Sequence, residues 1–410
     1  MTSLQEGHWF KLICGASYHH LPAIRNLALV YALAGADCID LAADPAIVAA
    51  ARSGLTAAQQ LIDKVGLPHT NLPSSTWLMV SLNDGEDPHF RKAAFDPATC
   101  PVDCNRPCER ICPTQAITFN NPDKELGVID SQCYGCGRCI PICPFEQIYT
   151  RSYVSTPSAI AAQLFPTIDA IEIHTQIGRT QSFQRLWQEI QPWLKHLKLV
   201  AISCPDGEEV IPYLWSLWNI IQPLSIPLIW QTDGRPMSGD IGDGTTIAAI
   251  RFGQKVLNAQ LPGYVQLAGG TNRHTVEKLH QLELLNLPVN RASFPVLSGK
   301  QPAQISGIAY GSYARKLVMP ILTPDESMNP LLSTGSRTGN SSQFTPLLDK
   351  SKQSPSFSLP EIIHLEEMPD LLEIALGRAS SLVLQLKEPW INEAEIVKRN
   401  RGHDQATSAP

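Results

Sequence analysis

The sequence predicts an α/β chain, a (β/α)8 TIM-barrel-like array carrying one inserted lobe. Eight short apolar runs alternate with amphipathic helical stretches over about three hundred residues, as such a barrel requires. The runs are too short and too β-branched for buried helices. A block of eight of the chain's eleven cysteines falls after the third run and interrupts the alternation. An open doubly wound sheet is the alternative arrangement of the same elements.

The predicted strands are Phe10 to Gly15, Cys38 to Ala42, Trp77 to Leu82, Ala170 to His174, Leu197 to Ser203, Pro227 to Thr232, Tyr264 to Ala268 and Gly307 to Tyr310. Helices are expected over Leu21 to Ala34, Pro45 to Val65 with a break at Gly54, Ser158 to Phe165, Ser182 to Leu194, Glu208 to Ile221, Thr245 to Leu257 and Thr271 to Leu284. Residues 1–95 and 151–322 would build the barrel, and 96–150 the insertion. Residues 323–360, rich in Ser, Thr, Pro and Gly, read as a flexible linker. Apolar periodicity returns over 361–390, expected as a helix and short strand docking on the barrel, and 391–410 reads as a disordered tail. No internal repeat is expected beyond the βα alternation.

The cysteine block holds two runs, CPVDCNRPCERICP (Cys100, Cys104, Cys108, Cys112) and CYGCGRCIPICP (Cys133, Cys136, Cys139, Cys143). The second has the bacterial ferredoxin spacing, in which three thiolates wrap one iron-sulfur cube and the fourth serves another. Gly135 and Gly137 let the backbone close around the cube, and Pro113 and Pro144 turn the chain away after each run. Crossing the fourth ligands gives cluster one on Cys100, Cys104, Cys108 and Cys143, and cluster two on Cys133, Cys136, Cys139 and Cys112. Every gap in the first run is three residues, so cluster one is expected to be looser, as [4Fe-4S] or, with an iron lost, [3Fe-4S]. Structural zinc would favour two separated pairs without the repeated Cys-Pro ending. Disulfides would call for an oxidising compartment. The CxxxCxxC triad of radical-SAM enzymes is absent.

At 43% apolar content and a formal charge of −6, the chain can bury large cores and lacks the basic excess of a nucleic-acid binder. MTSLQEGHWFKL does not read as an export signal, so a cytoplasmic location is expected. Val210 to Thr232 carries no charge but contains Pro212, Pro223 and Pro227, which favours a buried helix and strand over a transmembrane segment. Peripheral membrane contact stays open. Cys14, Cys38 and Cys204 read as buried small residues, and His19 and His20 as loop residues.

Two strand-to-helix junctions, Gly269, Gly270 and Thr271 after the seventh strand and Gly311 and Ser312 after the eighth, stand where barrels often hold a phosphate; tight packing is the equal alternative. The loop Asp233 to Thr245, with Gly239, Asp240, Gly242 and Gly244, loosely suggests a flavin phosphate loop, but a long polar turn is favoured.

The double cysteine run, with SLNDGEDPHFRKAAFDP before it and AGGTNRHTVEKL and GIAYGSYARK after it, resembles the cyanobacterial light-dependent period (LdpA) family over most of the chain to about Leu322 and over the carboxyl-terminal helix region. The resemblance implies an iron-sulfur redox sensor that passes light-dependent cellular state to the circadian clock. Its partners would be clock-input proteins and the electron-carrier pool, and its ligands the eight cysteines from Cys100 to Cys143. The rival reading is a barrel oxidoreductase that moves electrons from two clusters to a flavin or a phosphorylated substrate; whether the chain is an enzyme is left open.

Overall fold

The computed structural model describes residues 1–65, 76–85, 91–112, 115–119, 126–130, 132–133, 135, 137–152, 157–234, 244–285, 304–322 and 364–406. Pro113, Cys136, Gly239, Asp240, Gly242 and the 323–360 linker lie outside the described residues.

Eight parallel strands close into a barrel: β1 (Trp9–Ile13), β2 (Cys38–Ala42), β3 (Trp77–Asn83), β8 (Ala170–His174), β9 (Leu199–Pro205), β10 (Leu228–Asp233), β11 (Tyr264–Ala268) and β12 (Gly307–Tyr310). Leu12 of β1 is in register with both Ile39 of β2 and Tyr310 of β12, so no edge is left and the open-sheet alternative is set aside.

Side chains alternate along each strand. Phe10, Leu12, Ile39, Leu41, Val80, Leu82, Ile171 and Ile173 join the large core beneath the surrounding helices. Their neighbours point inward, and those at the amino ends of the strands (Trp9, Cys38, Met79, Ala170, Leu199, Ile229) form a second apolar cluster. Leu4, on the short helix α1 (Thr2–Glu6), belongs to this cluster and plugs that end. Trp9 and Trp77 meet edge to face at 5.4 Å between ring centroids, a geometry that aligns ring edge with ring face.

Three expectations need correcting. Gly54 does not break its helix: α3 runs unbroken over Pro45–Val65. A Cβ there would stand 2.1 Å from the Arg25 carbonyl oxygen, so the glycine serves the close approach of α2 (Leu21–Leu33). The helix expected from Thr271 begins at Thr275, as α10 (Thr275–Gln281). Ahead of it, Asn272 Oδ1 accepts the His274 amide and Thr275 Oγ1 accepts the Asn272 amide, a local turn that competes with helix. Among the described residues the carboxyl-terminal stretch is helical over Pro369–Ala406 and has no strand, where a helix and a short strand were expected.

That helix packs on α2 and on the helix Ser312–Leu322. Lys387 Nζ lies 2.5 Å from Asp37 Oδ2, which also accepts the Phe10 amide at 2.7 Å. Arg25 grips Glu366 through two guanidinium nitrogens. The uncharged stretch resolves into α8 (Val210–Ile221) and β10. Among the described residues, no helix is long and apolar enough to cross a membrane.

Candidate metal centre

Between β3 and β8 the chain leaves the barrel at the carboxyl ends of the strands. β4 (Arg91–Ala94) pairs antiparallel with β7 (Tyr149–Ser152), and β5 (Ile117–Thr118) with β6 (Gly127–Val128). The first pairing straddles the boundary expected at residue 95. A separate small core gathers Ala93, Cys108, Ala116, Ile117, Cys133, Cys139 and Ile148.

The two cysteine runs build the same backbone device. Helix α4 (Pro107–Ile111) ends at Cys112 with φ −69° and ψ 113°, and α5 (Cys139–Ile142) ends at Cys143 with φ −72° and ψ 111°. Three residues on, Gln115 and Glu146 both adopt φ 52°, and each amide returns to the cysteine carbonyl at 3.3 Å. Two residues before Cys108 and Cys139 stand Arg106 at φ 50° and Gly137 at φ 72°. The matched positions keep a constant offset through the buried pair Ile117 and Ile148. The lobe is therefore an internal repeat, contrary to expectation. Its letters were in view in the Cys-x3-Cys-Pro ending of both runs, and the backbone angles extend the match to positions whose side chains differ.

Pairwise electrostatic contact between thiols crosses the two runs, although among the described residues no three or more of them converge closely enough to hold a metal ion as they stand. Cys100 and Cys104 share a side-chain hydrogen bond, and the charge of Cys143 acts on both Cys100 and Cys108. Cys112 acts on Cys133. Burial, then neighbouring thiols, push the Cys100 pKa upward; burial does the same at Cys108 and Cys133. Such thiols stay protonated by themselves and release their protons to solvent when a metal binds the thiolates.

Backbone amides point at the sulfurs: Ala116 donates to Cys112 Sγ at 3.2 Å, Gly135 and Ala93 to Cys133, and Glu109 to Cys108. No described cysteine is in a disulfide. An all-sulfur donor set with amide donors on the sulfurs fits an iron-sulfur cluster.

Lys92 ties this lobe to the barrel. It is 3% exposed, donates to the Asp130 carbonyl at 2.7 Å and Oδ2 at 3.1 Å, and reaches His19 Nδ1, beyond β1, at 3.2 Å. Its charge also acts on Cys133. Burial and then Lys92 hold the His19 pKa below its usual value. Gly135, at φ 73°, lies so close that an added Cβ would be 2.0 Å from the Arg91 carbonyl oxygen and 3.5 Å from Ser17 Oγ. His20 caps α2, accepting the Ala23 amide at Nδ1. Cys14, Cys38 and Cys204 are buried; burial pushes the Cys14 thiol up to about 12 against the opposing charge of Arg315.

The glycine junctions are brought together at the seam of β11 and β12. Gly269 and Gly270 adopt positive φ, and Thr271 donates to the Ala309 carbonyl at 2.6 Å. Ser312 Oγ accepts from Arg315, whose guanidinium also holds the Ile13 and Cys14 carbonyls at 2.7 and 2.9 Å. Both hydroxyls thus make internal hydrogen bonds.

Sequence reasoning missed the upper half of the barrel interior. Lys11 Nζ pairs with Glu172 Oε2 and lies 3.6 Å from Asp40 Oδ2. His174 Nε2 is 3.0 Å from Glu172 Oε1, and Ser81 donates to Asp40 at 2.8 Å. Gln231 donates to Glu172 Oε1 at 2.6 Å and Gln266 to Gln231 Oε1 at 2.7 Å. Burial would deprotonate Lys11, but Glu172 and Asp40 outweigh it and raise its pKa. Glu172, paired more closely, falls to about 2 despite burial; Asp40, where burial dominates over Lys11, rises to about 6. The signal was legible: WFKLI, CIDLA, AIEIH and YVQLA each set one polar residue at the centre of an apolar strand.

Gln266 Oε1 is fully buried and has no hydrogen-bond partner among the described residues. A buried acceptor left so costs on the order of 1–3 kcal/mol.

An eight-stranded parallel barrel with a thiol-rich lobe at its carboxyl face defines an iron-sulfur-binding α/β protein. A family model for the LdpA Fe-S cluster-binding domain matches residues 100–154, and one for the light dependent period A C-terminal domain matches residues 164–385. Light dependent period A of Synechococcus elongatus is 53% identical over 79% of this chain and 85% of its own length. The chain belongs to the LdpA family.

Two shorter matches are to proteins named as iron-sulfur proteins. The iron-sulfur cluster-binding subunit of menaquinone reductase from Nitratidesulfovibrio vulgaris is 29% identical over 24% of this chain and 39% of its own. An iron-sulfur protein of Rhodospirillum rubrum is 32% identical over 14% of this chain and 32% of its own.

Proposed function

We propose that the chain is a redox sensor in light-dependent input to the circadian clock, holding two clusters whose fourth ligands are exchanged. Cys100, Cys104, Cys108 and Cys143 hold one, and Cys112, Cys133, Cys136 and Cys139 the other. What supports this reading is that the charge of Cys143 acts on Cys100 and Cys108, and that of Cys112 on Cys133, across the two runs. A bound cluster supplies reversible one-electron gain and loss without ligand rearrangement.

Lys92 converts electron count into a contact. Its ammonium answers both to Cys133 and to His19 of the barrel, so negative charge added beside Cys133 draws it toward the lobe and loosens the barrel contact. That shift biases two docking states, which is what a partner must read. The relative's name, light dependent period A, supports the placement in clock input, with clock-input proteins or a carrier of the electron pool as partners.

Electron paramagnetic resonance on anaerobically prepared protein, before and after dithionite, tests the ligand sets. Cys143→Ser should remove the signal of the first run's cluster although it lies in the second run, and Cys139→Ser the other. Colourless, zinc-bearing protein would end the proposal. Identical hydrogen exchange at Ser17–His20 in oxidised and reduced protein would leave the clusters but remove the sensor.

The enzyme reading rests on the seam where Gly270 and Thr271 adjoin the helix that starts at Ser312. Amides there suit a phosphate of a flavin or substrate. Flavin bands in the visible spectrum would favour it.

A further inference from the structure

We propose that the outer face of the cysteine lobe, where Val102, Ile142 and Phe145 flank the thiols assigned to cluster one, docks a one-electron carrier protein whose redox centre is ringed by basic side chains. The proposal rests on the two-cluster reading above and adds to it the place and the charge of the partner.

The two ends of the lobe are covered unequally. Of the cluster-one ligands, Cys100, Cys104 and Cys143 are part-exposed and only Cys108 is buried. Of the described cluster-two ligands, Cys112 is part-exposed but Cys133 and Cys139 are buried, and Gly135 beside them abuts Arg91 and Ser17. Electron transfer falls steeply with the thickness of intervening protein, so exchange with a partner belongs to the thinly covered end.

That end carries large apolar side chains in solvent. Val102, between Cys100 and Cys104, is 98% exposed, and Ile142 and Phe145, on either side of Cys143, are 40% and 43% exposed. The charge of Cys143 acts on Cys100 and Thr99 Oγ1 meets Gln147 Oε1 at 3.2 Å, so the segments bearing the three side chains lie together. The repeat shows that the fold does not demand this. Ile111, at the position matching Ile142, packs against the lobe's own core, and the first run has Thr114 where the second has Phe145. A grouped apolar surface of this kind marks a contact from which water is excluded.

Charge specifies the partner. Asp103 follows Val102, Glu146 follows Phe145, and the Asp96 carbonyl accepts from Thr99 Oγ1; all three acidic residues are exposed. The cations of the first run are placed elsewhere: the Arg106 guanidinium lies over the Phe119 ring at 4.4 Å, and Arg110 stands two residues before Cys112, a ligand of the other cluster. An apolar centre with an acidic rim complements, and steers, a carrier with an apolar edge and a basic rim. One electron passes between carrier and cluster one, one centre being oxidised as the other is reduced, with no bond or proton transferred.

The test uses the full chain, cluster-loaded, reduced anaerobically with dithionite and freed of excess reductant. In stopped flow it meets cytochrome c, a basic carrier with an exposed haem edge, or the same cytochrome succinylated, which reverses the charge of its lysines. At low ionic strength the basic form should be reduced about tenfold or more faster, and added salt should erase the difference. Asp103→Lys/Glu146→Lys should slow the basic form about tenfold, and Val102→Ser/Phe145→Ser should slow it at every salt concentration, both with native EPR signals. Glu189→Lys/Glu373→Lys, the same charge change on two outer helices of the barrel, should leave the rate unchanged. A native chain without cluster signals would end both the two-cluster reading and this one. Signals present with equal rates for the two cytochromes, or a loss as large from Glu189→Lys/Glu373→Lys, would end this one alone. A native dimer that Phe145→Ser dissolves would give the face to a second copy of the chain and overturn the proposal too.

Discussion

Replacing Lys11 with methionine keeps most of the side-chain volume and removes the cation from a site that is fully buried. In the native chain the two carboxylates around it nearly offset each other. Glu172 sits at about 2 against an ordinary 4.5, which contributes about 3 kcal/mol at neutral pH at 1.4 kcal/mol per unit. That contribution is present above pH 4.5 and lost as pH falls toward 2. Asp40 sits at about 6 against an ordinary 3.8, so keeping it charged above pH 6 costs about 3 kcal/mol, a cost absent below 3.8. The contribution of this pair should therefore be flat between pH 7 and 8, because both groups are ionised in folded and unfolded chains alike.

Without Lys11 both carboxyls lose their counter-charge and burial raises their folded pKa. Lys11→Met should be destabilised by about 3–5 kcal/mol at pH 8, the usual cost of stranding a buried charge. The loss should shrink toward pH 6 as the folded form takes up protons that the unfolded form has released. Each carboxyl held protonated in this way adds a slope of about 1.4 kcal/mol per pH unit. Urea unfolding at pH 6, 7 and 8, read by tryptophan fluorescence, measures both quantities within a range gentle to clusters. Lys11→Met/Glu172→Gln should regain much of the loss and halve the slope. A Lys11→Met chain that loses under about 1 kcal/mol at pH 8, with no slope, would refute the ion network as described.

Lys92→Met should alter global stability by only about 1 kcal/mol yet speed hydrogen exchange at Ser17–His20, since the lobe loses its tie to His19; unchanged exchange there would count against Lys92 as the coupling residue. Gly135→Ala places a Cβ against the Arg91 carbonyl at a left-handed φ and should lower bound iron while circular dichroism reports an intact barrel. Lys387→Met strands Asp37 in the barrel wall and should destabilise by roughly 3 kcal/mol, with exchange rising first in the helix from Pro369; equal protection to the native chain would argue that this pair holds nothing.

Much of the fold is legible locally. Cys38–Ala42, Ala170–His174, Tyr264–Ala268 and Gly307–Tyr310 are strands with the bounds their apolar runs suggest, because a buried parallel strand needs an unbroken apolar run. Gly54 misled because a helix propensity describes one helix, whereas this glycine answers to the backbone of another. In the lobe the Cys-x3-Cys-Pro ending repeats openly, but the turn before it was hidden: Arg106 stands where the second run has Gly137, so that turn leaves no shared letter.

The sequence by itself determined that eight thiols lie together in the chain, and that a parallel α/β alternation surrounds them. Cysteine spacing and apolar period are local quantities, and chain order preserves them. Only the tertiary structure decided that the sheet closes, that the charge of Cys143 reaches Cys100 in the first run, and that Lys11, Asp40, Glu172, Gln231 and Gln266 meet inside one barrel. Each of these rests on contacts between strands far apart in the chain, made when closure turns alternate residues of every strand toward a common axis.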